Sequence, residues 1–528
     1  MRNPDTPNTL TQATTPATLA QRARAALTSD FAPVVALAIA TFVGHMLVAG
    51  NYGYFRDELY YLVAGQRLGP GYVDFPMMIA LLAALMNLVA HDALIAIHVI
   101  PALAVAALVI VSGLMARALG GSRYAQGLAA LATCATVTFL ATGSLFSMDI
   151  LDALWWSLGA YVIILLVKRD DPRLWVAFGL VAGLGLLTKL TILFFGLAVV
   201  LGALLTSRRR DFLTPWPWLG ALIAALGLLP YALWNAANGF PTVQFWHNYG
   251  GLSGGGPVGF LANQLLTINP FNLVIVIAGI VFYFRGRAGK PWRLLGWAYV
   301  ILYVGLTLIN AKSYFLSPIY PALYASGALL LDWKTEAGRW RWARPTYPVV
   351  VALSAILLAP LAMPILPPAA FAAHYGWLTG AGNSADGQGQ SAFPQYLGDR
   401  FGWDTMTANL ARAYDSLPAN QRAQACIFTE NYGEASALTL LGKADHLPPV
   451  ISGHNMYWYW GTGKCSGAVI LAIGPTQSDL AQTFGSVRQV GLNRCADCQP
   501  EENNLPIYLC TQPRVAISGA WERARHLN

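Results

Sequence analysis

The chain has 528 residues, of which 56% are hydrophobic and only 11% are charged. Because a soluble globular protein carries about a quarter charged residues, this composition excludes an ordinary cytosolic enzyme, and it also excludes a disordered chain. The formal net charge is +8, but the basic residues lie between apolar runs rather than in one cluster. That distribution is typical of a membrane protein and argues against binding to nucleic acid.

Residues 1–30 are polar and rich in Thr and Ala, and eleven apolar runs follow before residue 367. A membrane-crossing helix needs about 20 apolar residues, a length that most of these runs reach or approach. We therefore predict a polytopic α-helical membrane protein with eleven transmembrane helices, preceded by a cytoplasmic tail at 1–30. The predicted spans are 31–50, 94–116, 124–142, 151–167, 174–188, 190–206, 216–235, 264–284, 294–309, 315–331 and 346–366.

A twelfth apolar run, residues 77–90, is too short to cross a bilayer, and its length favours an interfacial or re-entrant helix. If it does not cross, 19 of the 23 Lys and Arg residues before residue 367 lie on one side of the membrane. The positive-inside rule then predicts eleven spans, a cytoplasmic N-terminus and a C-terminal part outside the cytoplasm.

After Pro367 the composition becomes that of a soluble protein. We divide the chain into a membrane domain at 31–366, a linker at 367–392 with a Gly/Ser/Asn/Gln-rich stretch at 380–390, and a small periplasmic α/β domain at 393–528. Its predicted elements are helices at 404–416 and 478–484 and strands at 425–429, 468–473 and 506–510. Five of the six cysteines lie in this domain, and structural disulfides are the favoured interpretation in that compartment. A metal-binding or redox role for Cys495 and Cys498 is the weaker alternative.

Two outward regions carry five of the thirteen acidic residues that precede residue 367. Asp57 and Glu58 directly follow the first span, at a depth where an isolated carboxylate is costly unless it is partnered or functional. Asp74 follows in the same loop, and Asp149 and Asp152 open a later helix. We predict Asp57, Glu58 and Asp149 as catalytic acids, with Asp74 and Asp152 as substrate contacts. For Asp149 and Asp152, capping of a helix N-terminus is the alternative.

Lys189 and Lys312 lie at the predicted outer ends of helices, against the charge rule. Such a cation either extends to the membrane interface or binds the phosphate of a lipid-linked substrate. Acids for proton abstraction and cations for phosphate binding then share one surface. This combination favours transfer from a phospholipid-linked donor.

Five stretches of the membrane domain form an ordered set. They are F-R-D-E-L-Y-Y at 55–61, the acids Asp149 and Asp152, L-T-K-L-T at 187–191, W-N-A-A-N-G-F-P at 234–241 and K-S-Y-F-L-S-P-I-Y-P at 312–321. Together they resemble the superfamily of polyprenyl- or dolichyl-phosphate-sugar glycosyltransferases of the GT-C fold, which includes protein O-mannosyltransferases and bacterial aminoarabinose transferases. The resemblance covers roughly residues 31–366.

The resemblance implies a catalytic domain at 31–366 in a bacterial inner membrane. The donor is then a polyprenyl-phosphate-linked sugar at the outer leaflet, and the acceptor is a glycan, lipid or protein. The family's catalytic acid matches Asp57, and its second-loop acid matches Asp149, with Asp152 as the alternative. Some members end the first loop with Glu-Lys-Pro or Asp-His-Pro, where this chain has Asp74-Phe75-Pro76. The residues that then remain for the donor phosphate are Arg56, Lys189, Lys312 and Tyr314, with His247 as a further substrate contact.

The implied reaction is a single displacement that inverts the sugar. A carboxylate takes the proton of the acceptor, the acceptor attacks C1, and polyprenyl phosphate leaves. No nucleotide-binding fingerprint or metal-ligand cluster is visible, so no cofactor is assigned, and a divalent metal stays open. The alternative is a transporter or flippase of lipid-linked sugars, which the clustering of charges at helix ends disfavours.

Three further segments keep two interpretations each. The glycine-rich run at 250–256 is either a mobile loop at the site or a plain linker. Residues 430–434 follow a strand, where α/β domains often place ligands, and the other interpretation is a plain turn. The aromatic run at 457–460 either stacks on sugar rings or packs against the membrane domain, and packing is favoured.

Overall fold

The computed structural model describes residues 30–249, 256–379, 392–495 and 497–528. The predicted tail, the glycine-rich run at 250–256 and the stretch at 380–390 lie outside these residues, except for Asp30 and Gly256. The first part of the predicted linker forms a helix, Pro368–Thr379.

Most of the described chain before residue 380 is helical. Within the described ranges, six helices are long and apolar enough to cross a membrane, or up to eight if each of two bent helix pairs is one span. The chain is therefore a multi-pass helical membrane protein, while the count of eleven spans stays a prediction. The α-helices are Ala32–Val48, Arg56–Gly65, Met78–Ala90, Leu94–Ile97, Val99–Ala118, Arg123–Cys134, Val137–Thr142, Met148–Arg169, Leu174–Leu186, Ile192–Leu204, Trp216–Ala237, Pro241–Tyr249, Gly256–Ile268, Leu273–Arg285, Arg293–Leu308, Tyr320–Thr335, Ala343–Ala362 and Pro368–Thr379.

The short apolar helix Met78–Ala90 has both ends tied to outward segments. The Met78 N–H donates to the Leu187 carbonyl at 2.8 Å, and just past the other end the Tyr54 hydroxyl donates to the Asp92 carbonyl at 2.8 Å. Tyr54 and Leu187 both belong to segments that the sequence predicts to face outward. That this helix does not cross the membrane stays a prediction.

The predicted span at 264–284 is not one straight helix. Gly256–Ile268 and Pro270–Arg285 meet at an angle of 99°. Asn269 causes the break, because its φ is 74° and its side chain accepts the Phe271 N–H, while Pro270 cannot donate to a continuing helix. The helix that covers the second half of this predicted span begins at Leu273.

The C-terminal domain contains one five-stranded sheet with the order β2-β1-β3-β5-β4. Its strands are β1 (Ala425–Thr429), β2 (Val450–Ser452), β3 (Val469–Ile473), β4 (Phe484–Asn493) and β5 (Leu505–Pro513). β1 is parallel to β2 and β3, whereas β5 is antiparallel to β3 and β4. The sequence missed β2, which has three residues, and β4, whose polar residues fit an edge strand. The helices are Gln395–Gly398, Trp403–Asp415, Ala419–Arg422, Tyr432–Leu440, Met456–Trp460, Gln477–Thr483 and Ile517–Ala524.

The cysteines of this domain form one disulfide in the structure. It joins Cys426 in β1 to Cys465 before β3. Cys495, Cys498 and Cys510 are free thiols. The disulfide fits the oxidising compartment that the predicted topology gives to this domain.

The two domains share a hydrophobic core. Leu59 of the helix Arg56–Gly65 is completely buried among residues of the C-terminal domain, including Trp403, Leu410 and Ile427. The helix Arg56–Gly65 also packs against the helix Tyr432–Leu440. The C-terminal domain therefore covers the first outward acids directly.

Candidate active site

The helix Arg56–Gly65 places the first outward acids. It starts where the extended residue Phe55 donates its backbone N–H to Glu58 at 2.8 Å, so the glutamate closes the first turn. Acids in this turn are favoured by the positive end of the helix dipole. Every residue from Glu58 onward in the helix is buried, because the helix packs against both Met78–Ala90 and Tyr432–Leu440.

Glu58 is fully buried, and both of its carboxylate oxygens accept hydrogen bonds. Oε2 accepts the Phe55 N–H, and Oε1 accepts the Phe146 N–H at 2.7 Å and lies 2.8 Å from His98 Nε2. Burial acts to raise the pKa of Glu58, but His98, Arg400 and the Phe146 N–H together hold that pKa below its usual range. This placement speaks against the expectation that Glu58 is catalytic, since its oxygens already hold three parts of the chain together.

Asp57 faces the C-terminal domain and is more accessible than Glu58, with 29% of its side chain exposed. Its Oδ1 accepts a hydrogen bond from the Tyr432 hydroxyl at 2.7 Å and lies 3.7 Å from Arg56 Nε. The Arg56 guanidinium also lies 3.5 Å from Asp399 and 5.5 Å from the centre of the Tyr432 ring. Arg56 therefore sits at the contact between the domains, a placement that speaks against its expected role at the donor phosphate.

Asp74 is half-buried in a polar setting on the same outward loop as Asp57. Tyr60 donates its hydroxyl to Asp74 Oδ1 at 3.2 Å, and Asn455 Nδ2 lies 3.5 Å from Oδ2. Burial, and then the charge of Asp57, raises the pKa of Asp74 to about 7. Asp74 can therefore hold or release a proton near neutral pH.

Lys189 and Asp149 form a close ion pair at the outer ends of their helices. Lys189 Nζ lies 2.5 Å from Asp149 Oδ1 and only 12% of the lysine side chain is exposed. The ammonium group also lies 4.9 Å from the centre of the Phe315 ring and 5.4 Å from that of Tyr314. Lys189 is thus enclosed by a carboxylate and two aromatic rings, so it does not extend to the membrane interface as the alternative interpretation required.

Asp152 lies one turn after Asp149 and is buried. Its oxygens accept hydrogen bonds from Trp156 Nε1 at 3.0 Å and from the Thr191 hydroxyl at 2.6 Å. Thr191 lies two residues after Lys189. Asp152 therefore holds the segment that carries Lys189 through Oδ2, while its Oδ1 binds Trp156 on its own helix.

Lys312 and His247 occupy different surroundings. Lys312 is half-buried and directly precedes the short helix Ser313–Ile319, which carries Tyr314 and Phe315. His247 is exposed on the helix Pro241–Tyr249. On that helix Gln244 and Asn248 line a cavity of about 520 Å³. Lys189 does not line this cavity.

Tyr61 connects the two halves of the site. Its ring is buried, and the electrostatic neighbours of its hydroxyl are Asp57, Asp149 and Asp74. Burial first, and then these three charges, raises the pKa of Tyr61 well above its usual range, so the hydroxyl stays protonated. Tyr61 also belongs to the apolar cluster against which Met148 and Leu151 pack, and these two residues lie on either side of Asp149 in the sequence.

A narrow cavity opens beside the Lys189–Asp149 ion pair. It is lined by Thr138, Phe139, Thr142, Asp149, Asp152, Ala153, Lys189, Tyr314, Phe315, Ser317 and Pro318. Both hydroxyl and charged groups line it, together with aromatic and aliphatic surface. Within the described ranges, no group of three or more His, Cys, Asp or Glu side chains is arranged to hold a metal ion.

The sequence did not single out Tyr61 or Tyr432 as site residues. Tyr61 follows Asp57 by four residues in the F-R-D-E-L-Y-Y stretch, a spacing that places both on one helix face. Tyr432 belongs to the segment at 430–434 that the sequence marked as a ligand position after a strand. Its partner Asp57 lies 375 residues away, so no local signal connects the two.

Two comparisons with known proteins agree with this geometry. Residues 74–234 match the family model for dolichyl-phosphate-mannose-protein mannosyltransferases, PMT_2. ArnT from Cupriavidus metallidurans matches in its apo state with a TM-score of 0.58 and bound to undecaprenyl phosphate with a TM-score of 0.56, at 16% identity in both cases. Each match covers 90% of this chain and 97% of ArnT. The chain has the GT-C fold.

The GT-C likeness confirms the resemblance that the five sequence stretches predicted. No curated protein matches the chain closely enough in sequence to be called a relative. The segment matched by the family model begins at Asp74 and includes Asp149, Asp152 and Lys189. Asp57 and the C-terminal domain lie outside that segment, but the match to ArnT spans most of the chain.

Proposed function

We propose that the protein is a membrane glycosyltransferase that moves a sugar from a polyprenyl-phosphate donor to an acceptor in the cell envelope. The observation that carries this proposal is the enclosed Lys189–Asp149 ion pair beside a narrow cavity, in a chain whose first outward loop holds the acids Asp57 and Asp74. The reaction needs a base near a cation, and the chain supplies both at the outer ends of apolar helices. The GT-C fold and the undecaprenyl phosphate bound to ArnT support the same donor class.

In this proposal Asp57 is the general base. It is the accessible member of the Asp57–Glu58 pair, and a carboxylate can accept the proton of a hydroxyl or amine as the new bond to C1 forms. Attack from the face opposite the phosphate inverts the sugar in a single displacement. Glu58 acts as a positioning residue, because it holds the start of the helix that carries Asp57.

Asp74, when protonated, limits the negative charge at the site. Burial, and then the charge of Asp57, raises the pKa of Asp74. In the proposed reaction a proton on Asp74 removes its repulsion of the Asp57 carboxylate, which acts as the base.

Lys189 stabilises the leaving polyprenyl phosphate, and Lys312 and Tyr314 contribute from the adjoining segment. A cation held at the position where charge develops lowers the barrier without reorganisation during the reaction. Asp149, expected as a second catalytic acid, is assigned here to hold Lys189 in place until the phosphate arrives. The aromatic rings of Tyr314 and Phe315 exclude water from that contact.

The proposed location is the outer face of a bacterial inner membrane, with the N-terminus in the cytoplasm and the C-terminal domain in the periplasm. The acceptor is a glycolipid, polysaccharide or protein that this compartment contains. The lipid bilayer holds the polyprenyl chain of the donor.

The test uses the full-length protein in lipid nanodiscs. Undecaprenyl-phosphate mannose and undecaprenyl-phosphate glucose with tritiated sugars serve as probes, together with an envelope extract as the acceptor source. Transfer of label to the extract, with release of undecaprenyl phosphate, is the expected result. Mass spectrometry of envelope glycans and lipids with and without the gene identifies the acceptor, and an unchanged envelope profile would argue against the proposal.

A further inference from the structure

The C-terminal domain reaches the proposed base with one side chain. Tyr432 is the first residue of the helix Tyr432–Leu440, and its hydroxyl donates to Asp57 Oδ1 at 2.7 Å. Asp57 belongs to the membrane domain, 375 residues earlier. The hydrogen bond therefore joins the two domains at the atom that the reaction uses.

Tyr432 is held rigidly by the start of its helix. Asn431 caps that helix, since its Oδ1 accepts the Glu434 N–H at 2.9 Å, and Glu434 accepts the Asn431 N–H at 3.1 Å. Asn431 Nδ2 also donates to Glu502 at 3.0 Å. A residue that follows such a cap has little freedom, so its hydroxyl stays in one place.

The ring of Tyr432 is fixed as well. It stacks on Tyr60 with ring centres 4.6 Å apart, and His454 lies 5.0 Å away. The Arg56 guanidinium lies 5.5 Å from the ring centre. Burial raises the pKa of Tyr432 well above its usual range, so the hydroxyl remains a donor at every working pH.

A second segment of the same domain holds Asp74. The Met456 N–H donates to the Tyr60 hydroxyl at 3.1 Å, and Tyr60 donates in turn to Asp74. Asn455 Nδ2 lies 3.5 Å from the other oxygen of Asp74. The C-terminal domain thus contacts Asp57 through Tyr432 and Asp74 through Asn455, and it also holds, through Met456, the membrane-domain residue Tyr60 that donates to Asp74.

We propose that Tyr432 is a positioning residue for catalysis: it orients the Asp57 carboxylate and favours its ionised form, which makes the C-terminal domain part of the active site. A hydrogen bond to the charged form of an acid stabilises that form, and it fixes the carboxylate plane toward the acceptor. The inference rests on the proposed function, because it assigns Tyr432 to a base whose reaction is itself proposed. A purely structural role would make Tyr432 a docking contact without effect on the chemistry.

The test is a kinetic double-mutant cycle with Tyr432→Phe and Asp57→Asn, run with the tritiated donors described above. Tyr432→Phe keeps the ring against Tyr60 and removes only the hydroxyl. We expect kcat to fall roughly 10- to 100-fold, the range for a hydrogen bond to a charged group, with little change in KM for the donor. The acidic limb of the kcat–pH profile should move to higher pH, since a carboxylate that has lost its donor binds a proton more readily.

The cycle distinguishes positioning from docking. If Tyr432 acts through Asp57, Tyr432→Phe has no further effect on kcat in the Asp57→Asn background. Equal losses in both backgrounds, or an unchanged kcat and pH profile in Tyr432→Phe, would overturn the inference. Tyr508→Phe, in β5, is the matched control and should leave kcat and pH profile as in the parent. If Tyr432→Phe does not fold, 3-fluorotyrosine at position 432 is used instead, because it keeps the ring and the hydroxyl and makes the hydroxyl a stronger donor; the acidic limb of the kcat–pH profile should then move to lower pH, and an unmoved limb would overturn the inference.

The outcomes also separate this inference from the function on which it rests. A parent protein that transfers sugar, with a Tyr432→Phe variant that is equally fast, contradicts the inference alone. A folded parent that transfers no sugar from either probe contradicts the proposed function, and the positioning role then falls with it. In that case a double-mutant cycle on thermal unfolding still shows whether Tyr432 and Asp57 interact, as they should if the contact between the domains is correct.

Discussion

Glu58 and His98 form a hydrogen-bonded pair that is enclosed within the protein. His98 Nε2 lies 2.8 Å from Glu58, and its Nδ1 lies 2.7 Å from the Ala49 carbonyl. Both ring nitrogens therefore lie within hydrogen-bonding distance of an oxygen, which fixes the orientation of the ring. The pair connects the end of the first membrane helix to the outward helix Arg56–Gly65, and the Phe146 N–H extends the connection to the loop before Asp149.

We predict that His98→Ala destabilises the protein by about 3–5 kcal/mol, because it leaves the Glu58 charge buried without its partner. Thermal unfolding in detergent measures the loss. The control is His374→Ala, since His374 is exposed, and this variant should unfold like the parent. Glu58 has a lowered pKa, so its contribution to stability is present above the glutamate pKa of the unfolded chain, about 4.3, and is lost as the pH falls further. A His98→Ala variant as stable as the parent would contradict the pairing.

Asp57→Asn should lower kcat roughly 10²- to 10⁴-fold, the usual contribution of general base catalysis. The substitution keeps the shape of the side chain and removes its charge and its basic oxygen. Thermal unfolding should stay near that of the parent. Asp445→Asn is the control, because Asp445 is exposed in the C-terminal domain. Full turnover in Asp57→Asn would leave Asp74 and Asp149 as the remaining acids for the role.

Lys189→Met should raise the apparent KM for the lipid-phosphate sugar, or lower kcat if the contact strengthens as the phosphate leaves. An effect of roughly 10- to 100-fold on kcat/KM is expected for the loss of a charged hydrogen bond. Lys464→Met serves as the control, since the Lys464 side chain is exposed in the C-terminal domain. Unchanged kinetics in Lys189→Met would reduce the Lys189–Asp149 pair to a structural contact.

Asp74→Asn tests the pH dependence of the carboxyl pair. The pKa of Asp74 in the folded protein is raised to about 7, above its unfolded value of about 3.9. Folding therefore favours protonated Asp74, and the parent loses stability as the pH rises between these two values. Asparagine cannot ionise, so the variant should gain stability relative to the parent as the pH rises from 4 to 8, in thermal unfolding measured across that range. A stability difference independent of pH would contradict the raised pKa.

The topology predicts where a reporter is active. With eleven spans and a cytoplasmic N-terminus, alkaline phosphatase fused after Asn528 should be active in the periplasm. A second fusion, after Arg210, tests the opposite side and should be inactive, because the basic cluster Arg208–Arg210 faces the cytoplasm in this topology. Activity of only the second fusion would reverse the orientation and move the site to the other face.

The sequence alone determined the membrane class, and it predicted the spans and which acids and cations face outward. These properties depend on local composition: an apolar run of sufficient length must cross lipid, and the distribution of Lys and Arg sets its direction. It also indicated Asp57 and Lys189, because a charge at the outer membrane edge is unusual enough to be informative. The GT-C likeness followed from the order of five short stretches.

Only the tertiary structure decided which of the neighbouring charges are available for chemistry. Asp57 and Glu58 are adjacent in sequence and equally acidic, yet Glu58 is saturated by His98 and Phe146, which lie 40 and 88 residues away. Arg56 is turned to Asp399 and Tyr432 in the C-terminal domain, while Lys189 is brought to Asp149. These pairings depend on how the chain packs, and a hydrogen bond between residues hundreds of positions apart leaves no trace in local pattern or spacing.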